Sequence, residues 1–182
     1  MSSPNDNVAR WLPKICTVRE SLCLSPLSYR ADTLLALIDV ESAGDPHAHR
    51  DGSQFWGLLQ IADAYAQDAC DYLGIDPIPA AELDGDGEQS IRLTLGYMES
   101  YSDLHRYAPS RIAALHKGGA GTAAQVREEL RDGSSLNRAL EHVEEQYTDN
   151  NGRPYAPNLT EYVERFRQAR KRWARWLDEE GA

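Results

Sequence analysis

Apolar residues recur along this chain mostly three, four or seven positions apart, which is the spacing that gathers them on one face of an α-helix. The pattern predicts helices that include residues 8–22, 34–41, 63–73, 91–98, 111–117, 122–130, 136–147 and 162–177. The segment 54–61 is different, because it is apolar, contains a glycine and is too short for a helix. We therefore expect a mainly α protein with one small irregular or β-like segment near residues 54–61.

Three helix ends carry residues with defined capping chemistry. Asp86 is the predicted N-cap of the helix through 91–98, and Ser110 that of the helix 111–117. Short polar side chains at these positions accept hydrogen bonds from the first free amides of a helix. The pair Gly118-Gly119 is expected to end the second of these helices.

Length, charge and cysteine content narrow the class of protein. The 182 residues suffice for one hydrophobic core, so we expect a single monomeric domain spanning 1–182. No apolar run approaches the ~18 residues that a membrane span needs, so no membrane insertion is expected. The net charge of −10 disfavours nucleic acid as a partner. The three cysteines lack CxxC spacing and are predicted to be buried thiols, and neither a metal nor a cofactor is implied.

One acidic residue interrupts an apolar helix face. Leu34, Leu37, Ile38 and Glu41 are spaced i, i+3, i+4, i+7, so a carboxyl group occupies a position where the pattern calls for a core residue. A carboxyl group in apolar surroundings holds its proton more tightly, and this suits a proton donor near neutral pH. The alternative is that Glu41 merely ends the helix with its carboxyl group in water.

Four motifs follow in order along the chain. Residues 41–42 read Glu-Ser at a helix end, 57–60 read Gly-Leu-Leu-Gln, 114–118 read Ala-Leu-His-Lys-Gly, and 162–163 read Tyr-Val. Over roughly residues 31–170 the chain resembles the goose-type lysozyme and soluble lytic transglycosylase superfamily. That superfamily usually carries Gly-Leu-Met-Gln at the second position and Ala-Tyr-Asn-Ala-Gly after it.

The resemblance implies a lysozyme-like fold, with helices around a substrate cleft, and cleavage of the β-1,4 bond between N-acetylmuramic acid and N-acetylglucosamine in peptidoglycan glycan strands. Glu41 would be the general acid. Asp51 lies in the loop where goose-type lysozymes carry an aspartate, and it would position a water molecule for hydrolysis. The substrate-binding residues that the resemblance implies are Ser42, Gly57, Gln60, His116 and Tyr162. His116 stands where the family has a sugar-contacting asparagine, so this contact differs.

Other functions remain open at this point. A lytic transglycosylase needs only the acid and forms a 1,6-anhydromuramic product, and a non-catalytic wall-binding protein would use the same fold. Residues 112–130 also fit a DNA-binding helix-turn-helix, although Arg127 is flanked by Glu128 and Glu129.

The first seven residues lack the basic and apolar regions of a signal peptide. We therefore expect cytoplasmic synthesis, with action on the cell wall after holin-type release or virion delivery, as for a phage endolysin.

Overall fold

The computed structural model describes residues 5–148 and 152–181. It is mainly helical, with 66% helix and 3% strand, so the predicted mainly α class is confirmed. The α-helices are α1 (Asp6–Ala9), α2 (Leu12–Ser21), α3 (Ala31–Ser42), α4 (Asp63–Leu73), α5 (Gly87–Ser100), α6 (Ser102–His105), α7 (Pro109–Arg131), α8 (Leu136–Gln146) and α9 (Leu159–Glu180), and a 3-10 turn covers Ala80–Leu83.

Two of the predicted helix signals are confirmed. The Gln89 amide donates to Asp86 Oδ1 at 2.9 Å, so Asp86 caps α5. Gly119 interrupts α7 with φ 73° and ψ −179°, a conformation outside the helical region that glycine adopts without steric cost. The predicted glycine break is therefore present within a longer helical segment.

Two other predictions about local structure are wrong. Ser110 does not cap a helix, because α7 begins at Pro109, whose missing amide hydrogen needs no cap, and the Ser110 hydroxyl accepts from Arg167 Nε at 3.1 Å. Cys23 is exposed and Cys16 is only half-buried, whereas Cys70 is buried as predicted. Cys23 lies beyond the end of α2 with φ 55°, so the apolar periodicity of that helix no longer governs its position.

The chain divides into two compact units, residues 5–100 with 168–181, and Tyr101–Arg167. In the first unit, α3 is a core helix in which the five consecutive residues 34–38 are all buried. Helices α1 and α2 pack against α3, and α4 packs against α5. A Cβ atom on Gly96 would lie 2.8 Å from Leu73, so the missing side chain lets α4 and α5 approach closely.

The second unit is built from α6, α7 and α8 with the beginning of α9. Helix α7 packs against both α6 and α8. The Ser135 hydroxyl caps α8 through the Arg138 amide at 3.4 Å, and Glu144 of α8 accepts from the Thr160 amide at 2.9 Å at the start of α9. Arg167 joins α9 to α7 and α8, because it donates to the Ser110 hydroxyl and, at 2.8 Å, to the Asn137 side chain.

The segment predicted to be irregular or β-like contains isolated β-bridges. Trp56 pairs with both His49 and Ile61 in antiparallel bridges. The Trp56 and Ile61 amides each donate to the other residue's carbonyl at 3.0 Å. This expectation is therefore confirmed. Among the helices that the structure describes, none is both long and apolar enough to cross a lipid bilayer.

Candidate active site

Glu41 lies at the point where the buried face of α3 reaches the surface. The preceding residues on its face, Leu34, Leu37 and Ile38, are at most 2% exposed, whereas Glu41 itself is half-buried. One residue after the helix, Ala43 adopts the left-handed conformation with φ 51°, and this turns the chain away. The carboxyl group is thus carried by a rigid core helix and has one side toward solvent.

The residues that follow Glu41 hold the end of α3 in place. The Gly44 carbonyl accepts from both Arg10 Nη2 and Trp11 Nε1 at 3.0 Å. Gly44 has φ 87°, and a Cβ atom there would lie 2.4 Å from the Asn7 carbonyl oxygen. Only glycine fits this close backbone approach, so the N-terminal helices fix the end of the helix that carries the acid.

Asp39 fixes the same helix from another direction. Its Oδ2 atom accepts from Trp173 Nε1 and from Arg172 Nη2, both at 3.1 Å. Trp173 is fully buried, so its N–H requires this partner. Asp39 precedes Glu41 by two residues, which places the two side chains on different faces of α3.

The phenol group of Tyr65, a half-buried residue of α4, lies within electrostatic range of the acid. Burial raises the pKa of Tyr65 well above its usual value of 10.0, the neighbouring Tyr97 and the charge of Glu41 raise it further, and the Thr94 hydroxyl offsets part of the rise. The Tyr65 and Tyr97 rings stack with centroids 3.7 Å apart across α4 and α5. Tyr65 therefore stays protonated at pH values up to at least 10, and its hydroxyl can donate a hydrogen bond there.

Gln60 and Gly57 lie together and are hydrogen-bonded within the loop, a structural role that the sequence did not indicate. Gln60 Nε2 donates to the Ala48 carbonyl at 2.7 Å and to the Gly57 carbonyl at 2.9 Å. The Gly57 amide also donates to Ala48, at 3.0 Å. The amide protons of Gln60 thus close the loop, and a sugar contact by Gln60 would use its Oε1 atom.

The Ser42 side chain is hydrogen-bonded to the backbone at the end of α3, whereas the Asp51 side chain is exposed. The Ser42 hydroxyl donates to the Ile38 carbonyl at 3.3 Å and accepts from the Gly44 amide at 3.2 Å, as part of the helix end. Asp51 is exposed in a turn that the Ser53 amide closes by donating to the Arg50 carbonyl at 2.8 Å. Asp51 is therefore open to solvent.

The other two predicted site residues belong to the second unit. His116 is half-buried on α7, three residues before the break at Gly119, and it has an interaction within the protein. Tyr162 is 6% exposed on α9. The ammonium group of Lys117 lies 5.6 Å from the centre of the Tyr162 ring, within range of a cation–π interaction.

The sequence reasoning missed Asp39 and Tyr65. A second acid on the same helix as Glu41 was a visible signal for Asp39, but nothing in the sequence pairs it with Trp173. Tyr65 follows Gln60 by five residues, and its approach to Glu41 arises only from packing. Within residues 5–148 and 152–181, no three histidine, cysteine, aspartate or glutamate side chains converge to hold a metal ion.

Comparison of the chain with protein-family models and with curated proteins finds no match.

Proposed function

We propose that this protein is a peptidoglycan glycosidase that cleaves the β-1,4 bond between N-acetylmuramic acid and N-acetylglucosamine, with Glu41 as the general acid. The observation that carries the proposal is the half-buried position of Glu41 at the end of an otherwise buried helix face. A proton donor for a glycosidic oxygen has to meet substrate while part of its surroundings excludes water. The motif resemblance in the sequence supports the same assignment.

In this reaction the Glu41 carboxyl group gives its proton to the leaving oxygen as the sugar acquires oxocarbenium character. The rigidity of α3 supports this role, because Gly44 and Asp39 anchor the helix on either side of the acid. The Tyr65 hydroxyl, which remains a neutral donor, is suited to orient the Glu41 carboxylate after the proton has left. Asp51 would then activate the water that attacks the anomeric carbon.

The remaining features of the proposal follow from the motif resemblance. The fold would be lysozyme-like, with Gly57, Gln60, His116, Tyr162 and Ser42 at the substrate. The partner would be the glycan strand, and a monomer would suffice. The proposed route to the wall is holin-type release or virion delivery, as for a phage or prophage lysis protein.

Transglycosylation is the second candidate, and the exposure of Asp51 bears on it. An exposed turn carboxylate is surrounded by solvent, which does not favour its use as the base that positions a single attacking water. Without such a base, the C6 hydroxyl of the muramic acid would attack in place of water and give a 1,6-anhydro product. A protein that binds the wall without cleaving it is the third candidate.

The test is digestion of purified peptidoglycan sacculi by the wild type and by Glu41→Gln, with mass spectrometry of the soluble muropeptides. The amide keeps the shape of the acid but has no proton to give, so release should fall by about 10²–10⁴-fold. Far-UV circular dichroism and thermal unfolding of both proteins check that the fold is unchanged. The proposal is contradicted if the wild-type protein releases nothing, or if Glu41→Gln retains more than about a tenth of the wild-type activity.

A further inference from the structure

A flat aromatic pair lies in the loop between α3 and α4. The rings of His49 and Trp56 stack with centroids 3.5 Å apart and planes 7° from parallel. Two aromatic rings in face-to-face contact form one slab with apolar faces and polar edges.

The backbone holds this pair rigidly. Trp56 is bridged to both His49 and Ile61, and the Ile61 and Trp56 amides exchange 3.0 Å hydrogen bonds. His49 Nδ1 lies 3.1 Å from the Phe55 carbonyl oxygen. A carbonyl oxygen can only accept, so Nδ1 carries the proton, and in the neutral ring Nε2 is left with its lone pair.

Phe55 precedes Trp56 in the chain and carries an exposed apolar ring. Its side chain is 44% exposed, although burial of a large apolar side chain stabilises a protein. The Ser53 hydroxyl accepts from the Phe55 amide at 3.1 Å, which fixes the backbone of this residue as well. The loop therefore presents apolar ring surface to solvent on a preorganised backbone, an arrangement that lowers the entropic cost of binding a ligand.

We propose that His49, Phe55 and Trp56, here called the aromatic platform, form a saccharide-stacking subsite for the N-acetylated sugars of the glycan strand. A pyranose ring has a face of C–H groups that packs against an aromatic ring, while its hydroxyl and acetamido groups project from the edge. The His49 Nε2 lone pair can accept from such an edge group. This proposal rests on the glycosidase function argued above and names residues outside the motifs used there.

The connection to Glu41 runs through the start of α4. Trp56 is paired with Ile61, and Tyr65 follows Ile61 by four residues. The charge of Glu41 contributes to the raised pKa of Tyr65, so these two groups lie within electrostatic range of each other. Four residues span at most about 14 Å of chain, so Ile61, the bridge partner of Trp56, lies within the length of a few sugar rings of Tyr65. A glycan strand stacked on the platform would therefore be long enough to reach the region of Tyr65 and Glu41.

The experiment measures binding of full-length Glu41→Gln protein to purified sacculi by cosedimentation, so that the glycan strands stay intact. Phe55→Ala is the main variant because the side chain is exposed, and Trp56→Ala is the second. Tyr72→Ala is the matched control, since Tyr72 is an exposed aromatic residue near the far end of α4. Thermal unfolding of each variant verifies the fold.

Each platform variant should weaken sacculus binding by about fivefold or more, the scale of one aromatic contact, and Tyr72→Ala should bind as the parent does. Unchanged binding by folded Phe55→Ala and Trp56→Ala would overturn the platform. An equal loss in Tyr72→Ala would also overturn it, because the effect would then be unspecific.

Failure of the platform and failure of the glycosidase are distinguishable. Activity is compared in proteins that keep Glu41. If the wild type releases muropeptides and Phe55→Ala has the same KM for sacculi, the platform proposal is wrong and the glycosidase proposal stands. If the wild type releases nothing while Phe55→Ala still lowers binding, the glycosidase is wrong and the platform stands as a glycan-binding surface.

Discussion

The indole N–H of Trp173 donates to the Asp39 carboxylate at 3.1 Å, and this bond joins the C-terminal part of α9 to the helix that carries Glu41. Trp173 has no exposed surface, while Asp39 retains 14% side-chain exposure and also binds Arg172. The carboxylate is therefore shared between a buried neutral donor and a half-exposed charged one. Each of these bonds is expected to make a different contribution to stability.

Asp39→Ala should lower the free energy of unfolding by about 1–3 kcal/mol, because the buried indole N–H loses its acceptor. Arg172→Ala is the matched control and should cost about 0–1 kcal/mol, since the Arg172 side chain is 53% exposed and the ion pair is screened by solvent. Urea unfolding followed by tryptophan fluorescence measures both. Equal losses in the two variants would mean that the ion pair, and not the indole bond, stabilises this contact.

Gly57→Ala should destabilise the protein more than Gly52→Ala does. Both glycines have positive φ, 71° and 76°, so alanine is strained at either position by about 1–2 kcal/mol. Only at Gly57 would the new Cβ atom meet the backbone, 2.8 Å from the Leu83 carbonyl oxygen, whereas at Gly52 no atom lies within 4 Å. Urea titration of the two variants compares them directly. A smaller loss for Gly57→Ala than for Gly52→Ala contradicts this close packing.

Tyr65 should make the protein lose stability at alkaline pH. The folded-state pKa is raised above 10.0, so above that pH the unfolded chain releases a proton that the folded protein retains. The unfolded state then binds fewer protons, and stability falls as pH rises, by at most about 1.4 kcal/mol per pH unit. Urea unfolding at pH 8, 10 and 11 measures this loss.

Tyr65→Phe is the control for that loss, because it keeps the ring stacked on Tyr97 and removes the titrating group. Its stability should decline less between pH 10 and 11 than that of the wild type. Parallel declines in the two proteins would show that other groups cause the alkaline loss.

Asp51→Asn distinguishes hydrolysis from transglycosylation. If Asp51 activates water, the substitution should lower muropeptide release at least about tenfold while stability is unchanged, since the residue is exposed in a turn. Asp76→Asn, another exposed loop acid, is the control and should retain full activity. Full activity of Asp51→Asn together with 1,6-anhydro products would make the enzyme a lytic transglycosylase.

Helical periodicity was enough to predict the helical class and the position of Glu41 on an apolar helix face. Local rules suffice for such features, because helical periodicity and a cap such as Asp86 depend on residues within one or two turns. The irregular segment around Trp56 was also visible, since its composition suits neither a helix nor a long strand. The left-handed turn at Cys23 was not anticipated, because apolar periodicity alone does not mark where a helix stops.

The identity of the side chains around the acid depends on tertiary packing. The contact between Asp39 and Trp173 joins residues 134 positions apart. The coupling of Tyr65 to Glu41 depends on how α3, α4 and α5 pack, and the amide of Gln60 turned out to close its own loop. Such partners are selected by the fit of whole elements, in which burial of apolar surface sets the position and polar groups find acceptors afterwards. The spacing of residues along the chain does not show which of them will be packed together.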